Sequence, residues 1–248
     1  MEPDNLYLAA LILLAAVIYT SVGHAGASGY IAAMALFGVA PAVMKPTALV
    51  LNILVASFGT WRLHRARLIS TRALVPFIIG SLPFAFLGGA VQLPGGTYRL
   101  IVGMVLLGAA IPFLLAPRER VAHPEGPAPV PPVVPAILIG AAIGFLSGLT
   151  GTGGGIFLSP ILLYLAWAGT RQSSGLTAPF ILINSMAGLA GNAYSLAYLP
   201  PALPMFAVAA LIGALIGTQL GIRWLSPRTI QRVLACVLII AGGKLILT

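Results

Sequence analysis

The sequence predicts an all-helical protein that crosses a membrane several times. Of the residues, 59% are hydrophobic and only 7% are charged, whereas soluble domains carry about 25% charged residues. The apolar residues form long runs, and the first run follows Glu2 and Asp4 rather than a basic segment. We therefore expect this run to be kept as a helix and not removed as a signal peptide. A polar, glycine-rich break near the start of each half indicates two related repeats.

Ten apolar segments, bounded by glycine, proline or charge, are the predicted helices in chain order. A complete crossing needs about 20 apolar residues, so the second segment is too short and the seventh is marginal. Because each of these two follows a glycine-rich break, each is expected to be a half-helix or part of a re-entrant hairpin. The segments are residues 6–22, 29–40, 46–61, 73–93, 98–115, 134–149, 154–168, 174–196, 202–222 and 228–247.

The halves are separated by residues 116–133, a proline-rich polar stretch that we expect to be an extended linker outside the bilayer. Residues 1–115 then form the first transmembrane repeat and residues 134–248 the second. Residues 89–97 align with residues 221–229 without gaps, and the two glycine breaks also align. Each half holds five segments, an odd number, so the second half starts on the opposite side and the repeat is predicted to be inverted.

The distribution of basic residues agrees with this topology. Ten fall on one side and three on the other, so the positive-inside rule places the 62–72 loop and the linker in the cytoplasm and both termini in the periplasm. The first group is Arg62, Arg65, Arg67, Arg72, Arg118, Arg120, Arg171, Arg223, Arg228 and Arg232, and the second is Lys45, Arg99 and Lys244.

The net charge of +9 does not indicate nucleic-acid binding, because the basic residues are scattered at the ends of apolar runs. The expected surroundings are the lipid bilayer. Cys236 is the single cysteine, which excludes an intrachain disulfide and a cysteine metal cluster. We expect no metal site and no cofactor.

The two breaks, residues 21–29 (SVGHAGASG) and 147–155 (SGLTGTGGG), are the candidate binding site. Helices are expected to restart at about Gly29 and Gly154, where free N–H groups and the helix dipole favour an anion. The alternative is that these glycines only allow close helix packing. The candidate substrate-binding residues in the breaks are His24, Gly26, Ser28, Gly29, Thr150, Thr152, Gly153, Gly154 and Gly155.

Asn52 and Asn184 complete the candidate site, because they occupy matched positions in apolar helices of the two halves. Their amides could contact the ligand or support the breaks, or they could only form interhelical hydrogen bonds. His24 could donate to an anion, carry a proton or have a structural role. Lys45 and Arg171 could attract anions to the two mouths, or they could be interfacial anchors.

The acidic residues point to an anion as the substrate. All four acids, Glu2, Asp4, Glu119 and Glu125, lie in the N-terminal tail or the linker, so no predicted span contains a carboxylate. This disfavours a cation transporter, a proton pump and a hydrolytic enzyme, and we expect no catalytic residue. It also leaves no evident proton or sodium site, which makes uncoupled efflux the simplest hypothesis, although carbonyls at the breaks could bind Na⁺.

Residues 151–160 (GTGGGIFLSP) and 176–184 (LTAPFILIN) carry a resemblance to a known family. This pattern resembles the TauE/SafE sulfite exporter family, also called the toluene-sulfonate uptake permease family. The first half departs from the pattern, with AGASG at residues 25–29. The resemblance implies a bacterial inner-membrane permease for sulfite, thiosulfate or an organosulfonate. An anion channel and a coupled importer of an organic anion are the alternatives, and a homodimer is left open.

Overall fold

The computed structural model describes residues 3–21, 23–114, 128–223 and 227–247. Within these ranges all regular structure is helical. The helices are α1 (Pro3–Ser21), α2 (Ala27–Leu36), α3 (Pro41–Arg65), α4 (Thr71–Ala90), α5 (Gly95–Leu114), α6 (Val133–Thr150), α7 (Gly155–Tyr164), α8 (Thr170–Gly191), a 3₁₀ helix (Ala193–Tyr198), α9 (Leu203–Arg223) and α10 (Pro227–Leu247).

The ten predicted segments correspond one to one with α1–α10, and the prediction of an all-helical membrane protein is confirmed. Among the described residues, five helices are long and apolar enough to cross a membrane, namely α1, α3, α4, α6 and α8. The second and seventh helices, α2 and α7, have 10 residues each. At 1.5 Å per residue each is about 15 Å long, half of a bilayer core of about 30 Å.

The eighth predicted segment, residues 174–196, divides into two helices. The α-helix α8 ends at Gly191, and Asn192 leads into the short 3₁₀ helix Ala193–Tyr198. The 3₁₀ helix stops before Pro200, which has no N–H to continue the hydrogen bonding.

Parallel packing of α4 on α6 joins the two halves at very short range. Three glycines of α6, spaced four residues apart, lie directly against the backbone of α4, so that an added Cβ would collide with carbonyl oxygens. Membrane helices use such small-residue stripes to bring backbones together. The contacts are Gly140 with Phe77, Gly144 with Ser81 and Gly148 with Ala85.

Further helix pairs also join the halves. Helix α9 lies parallel to α1, with Gly213 against Leu13 and Gly217 against Val17. Helix α10 packs against α5 through a close contact of Gly242 with Gly103. Helices α3 and α8 run antiparallel, which places Asn52 beside Ser185 and Gly59 beside Ala178.

The hydrophobic core is therefore shared between the halves and does not divide at the linker. One cluster combines α1, α2, α3 and α5 with α9, α10, Ile156 of α7 and Ile181 of α8, and the other combines α4 with α6, α7 and α8. If the repeat relates α1 to α6 and α4 to α9, it converts the α1–α9 pair into the α6–α4 pair, and the α4–α6 pair into the α9–α1 pair. The inverted orientation of the repeats stays a prediction. Of the predicted linker 116–133, residues 116–127 lie outside the described part of the chain.

Candidate functional site

In both breaks, glycines with left-handed backbone angles lie between two helices. Helix α1 ends at Ser21 and α2 begins at Ala27 after Gly26, whose φ is +103°. Helix α6 ends at Thr150 and α7 begins at Gly155 after Gly154, whose φ is +81°. Residues with a Cβ rarely adopt these angles, which explains the glycines. The predicted restarts, at about Gly29 and Gly154, are within two residues of the observed ones.

The structure brings the two breaks together around one small cavity. The imidazole Nε2 of His24 lies 3.1 Å from the carbonyl oxygen of Gly155, so the first break contacts the start of the second half-helix. The cavity has a volume of about 10 Å³, room for about one water molecule. It is lined by Tyr19, His24, Ala25, Gly26, Ala27, Ser28, Asn52, Thr152, Gly155, Ile156 and Ile181.

Asn52 links three elements at this cavity and is fully buried. Its Oδ1 accepts a hydrogen bond from the Ala27 N–H at 3.2 Å, which satisfies one free donor at the start of α2. Its Nδ2 donates to the Ser185 hydroxyl of α8 at 2.8 Å. Gly153 lies so close to this amide that an added Cβ would collide with Nδ2. Asn52 thus holds the first helix start against the second break.

Hydroxyl groups lie in the lining of this cavity or next to it. Ser28 donates to the phenol oxygen of Tyr19 at 2.8 Å, and Tyr30 donates to the Ala25 carbonyl at 2.6 Å. In the second break, the hydroxyl oxygens of Thr150 and Thr152 lie 3.0 Å apart. These are neutral donors that turn toward an acceptor by rotating about one bond.

The predicted site residues fall into two groups. Those that line the cavity are His24, Gly26, Ser28, Asn52, Thr152 and Gly155. The others lie outside its lining: Gly29 packs on Tyr19, Thr150 bonds to Thr152, Gly153 packs on Asn52, Gly154 packs on Phe180, and Asn184 bonds to the Phe180 carbonyl of its own helix at 2.8 Å.

Sequence reasoning missed Tyr19, Ile156, Ile181 and Ser185. The hydroxyl of Ser185 and the phenol of Tyr19 reach the site only through packing of α8 on α3 and of α1 on α2. The adjacency of Ser185 to Asn184 was a signal in the sequence. To predict the role of Ser185 from this signal, one would have needed to know that α3 and α8 pack antiparallel and in which register.

The arrangement can hold a small anion without a charged side chain. The N-terminal ends of α2 and α7 both border the cavity, and their dipoles favour negative charge there. In the described part of the chain, no group of three His, Cys, Asp or Glu residues could hold a metal ion. The cavity has room for about one water molecule in this conformation, so a larger oxyanion would fit only after the lining residues have moved.

Comparisons with known proteins show which family the chain resembles and that its relatives are described as membrane transporters. The family model described as sulfite exporter TauE/SafE matches residues 8–245. A protein of Sinorhizobium fredii, described as a probable membrane transporter, is 39% identical over 246 residues, which cover 99% of this chain and all of the relative. A probable membrane transporter of Bacillus subtilis is 27% identical over 256 residues, covering 98% of this chain and 99% of the relative. No solved structure matches the chain significantly.

Proposed function

The chain belongs to the TauE/SafE sulfite exporter family, and from this premise we propose that it carries sulfite, thiosulfate or an organosulfonate through the cavity between the two breaks. The coarser function, that of a multi-pass membrane transporter rather than an enzyme, follows from the family and from the relative in Sinorhizobium fredii. The bacterial inner membrane is the proposed location.

One observation carries the proposal: two half-helices start at one buried cavity that is lined by neutral donors. The imidazole of His24, the hydroxyls of Ser28 and Thr152 and the amide of Asn52 are all at this cavity. An anion that leaves water must replace its hydration by hydrogen bonds. Hydroxyls, an amide and backbone N–H groups provide such bonds, and the two helix dipoles add to them.

A carrier and the alternative, an anion channel, differ in how the transport rate depends on substrate concentration. Alternating access limits a carrier to one cycle at a time, so its rate saturates with substrate and labelled substrate shows counterflow. The narrow cavity, with room for about one water molecule, supports a carrier rather than a permanently open channel.

The first test is a binding screen with a site variant. Purified protein is heated with sulfite, thiosulfate, sulfate, taurine or sulfoacetate, and a bound anion raises the unfolding temperature. For the best anion, Asn52→Ala should weaken binding by about 1–3 kcal/mol, because a buried partner is lost. Ser28→Ala should also weaken it.

The matched control is Ser159→Ala in α7. This change removes a buried hydroxyl whose oxygen lies 2.7 Å from the hydroxyl oxygen of Ser173 in α8. This variant should bind the anion as the unmodified protein does. Unchanged affinity in folded Asn52→Ala and Ser28→Ala would remove the cavity as the binding site. An absence of binding by all five anions would reject the proposed substrate class.

A further inference from the structure

Tyr19 carries the one hydroxyl of the described cavity lining whose proton is not engaged. The side chain is 2% exposed, and its phenol oxygen accepts a hydrogen bond from the Ser28 hydroxyl at 2.8 Å. Within the described ranges, the proton of the phenol itself has no acceptor. Because buried polar groups are nearly always hydrogen-bonded, this proton needs a partner.

The other two hydroxyls of the lining already donate to the protein. Ser28 donates to the phenol oxygen of Tyr19. In the second break, the hydroxyl of Thr150 donates to the Leu146 carbonyl at 2.6 Å, and its oxygen lies 3.0 Å from that of Thr152. A hydroxyl has one proton, so Thr152 is the donor between these two threonines. The protons of Ser28 and Thr152 must leave a buried acceptor before they can reach an anion, which costs free energy.

The two nitrogen-bearing side chains of the lining differ from each other in the same respect. Nε2 of His24 lies by the Gly155 carbonyl, which only accepts, so the single N–H of a neutral imidazole is on this nitrogen and is engaged. Nδ2 of Asn52 donates one of its two hydrogens to Ser185. The second hydrogen of Asn52 and the proton of Tyr19 are therefore the side-chain donors of the lining that an anion can accept without breaking a hydrogen bond.

Contacts with the first break hold Tyr19 beside the start of α2. Its ring packs on Gly29, where an added Cβ would lie 2.8 Å from a ring carbon. Its backbone carbonyl accepts a hydrogen bond from the His24 N–H at 3.0 Å. Its phenol is bonded to Ser28, the second residue of α2. The phenol oxygen thus lies at the first turn of α2, where unpaired N–H groups and the helix dipole favour an anion.

We propose that Tyr19 binds the transported anion directly by donating its phenol proton, and that Ser28 is a positioning residue for this phenol. The inference rests on the proposed function and adds a binding residue to its site. An anion accepts hydrogen bonds, and the proton of Tyr19 is aimed at no other acceptor. The hydrogen bond from Ser28 fixes the phenol oxygen and also polarises its O–H bond, since a hydroxyl that accepts a hydrogen bond becomes a stronger donor.

Calorimetric titration of the purified protein with sulfite, thiosulfate, sulfate, taurine and sulfoacetate tests the donor role. For each anion that binds, Tyr19→Phe should weaken binding by about 10- to 100-fold, because a buried hydrogen bond to a charged group is lost. The matched control is Tyr98→Phe in α5, the same change at a phenol that is 4% exposed and donates to the Thr150 carbonyl at 2.9 Å. This control should keep the affinity of the unmodified protein, and equal losses in the two variants would overturn the donor role.

A double-variant cycle tests the positioning role of Ser28. Ser28→Ala alone should weaken anion binding less than Tyr19→Phe does. In the Tyr19→Phe background it should cause little further loss, because no phenol remains to be positioned. Fully additive losses would overturn this role, since Ser28 would then contact the anion independently of Tyr19.

Fluorotyrosine in place of Tyr19 provides a second measurement if Tyr19→Phe does not fold. Fluorine beside the hydroxyl makes the phenol more acidic with little change in size. At mildly acidic pH, where the phenol stays protonated, a stronger donor should bind the anion more tightly, and unchanged or weaker binding would overturn the proposal.

The unmodified protein separates this proposal from the proposed function. If it binds none of the five anions, the proposed substrates and the donor role are both rejected. If it binds an anion and Tyr19→Phe binds that anion equally well, the substrate class stands and only the donor role of Tyr19 is overturned.

Discussion

Lys45 shows how this chain accommodates a charge in its apolar interior. The side chain is 7% exposed, and its ammonium donates to the carbonyls of Gly89 at 2.9 Å, Val91 at 3.2 Å and Gly88 at 3.4 Å. These carbonyls are at the C-terminal end of α4, where the helix dipole favours a cation. Lys45 therefore fastens α3 to the end of α4, whether or not it also attracts anions or anchors the helix at the interface.

Replacing Lys45 by methionine should lower the stability of the folded protein. The change keeps most of the length of the side chain but leaves buried carbonyls without a donor, which costs about 1–3 kcal/mol. The measurement is the thermal midpoint in detergent, with Lys244→Met as the matched control. Lys244 donates to the carbonyl of Leu36 at 2.6 Å and is less buried than Lys45, so its replacement should cost less. Equal midpoints for Lys45→Met and the unmodified protein would contradict this role.

At the candidate binding site, the residue types could be predicted from the sequence, but their hydrogen-bond partners could not. The left-handed angles at Gly26, Gly151 and Gly154 agree with the expectation that these glycines break helices. Asn52 was singled out because it is an amide in an apolar helix. Its bond to Ser185 depends on the register between α3 and α8, which no local pattern in the sequence encodes.

At the scale of the elements, the closest approach is that of α4 to α6. Gly144 touches the backbone of Ser81, so even one methyl group would force the helices apart. Gly144→Ala should therefore lower the thermal midpoint. The control is Gly108→Ala in α5, where an added Cβ meets no atom within 4 Å.

The control variant should keep or slightly raise the midpoint, because alanine is favoured over glycine in helices by about 1 kcal/mol. If Gly144→Ala were as stable as Gly108→Ala, close α4–α6 packing would not contribute to the fold. The comparison separates packing from helix propensity, since both changes are the same substitution within a helix.

The helices themselves were predictable, because hydropathy and glycine or proline punctuation depend on local sequence. All ten predicted segments have a counterpart, and α3 extends further than predicted, from Pro41 to Arg65. The helix pairing was not predictable in the same way. Small-residue stripes show which face packs closely, but the partner of the stripe on α6 is decided by the whole bundle.

At the scale of the whole molecule, the open question is its orientation in the membrane. The loop between α3 and α4 is basic, and the guanidinium of Arg65 lies 4.6 Å from the ring centroid of Trp61. Trp and Arg are typical of the membrane–water interface, and basic loops are typical of its cytoplasmic side. The loop between α4 and α5 should then be periplasmic.

Cysteine labelling tests this orientation. In a Cys236→Ser background, Ala66→Cys places a thiol at an exposed position of the first loop, and Gly96→Cys places one at the exposed start of α5, next to the second loop. An impermeant thiol reagent added to cells with a permeabilised outer membrane should label Gly96→Cys and leave Ala66→Cys unlabelled. The reverse pattern would contradict the predicted topology, and the same reagent on opened vesicles should label both.

Transport by purified protein in liposomes tests the central claim, that the anion moves through the cavity between the breaks. The measurement is the initial rate of exit of the best-binding anion, at several concentrations, for the unmodified protein, Asn52→Ala and the control Ser159→Ala. The account predicts a saturating rate with counterflow for the unmodified protein and the control, and a rate near that of empty liposomes for Asn52→Ala at low substrate. A saturating rate that is unchanged in Asn52→Ala would contradict it.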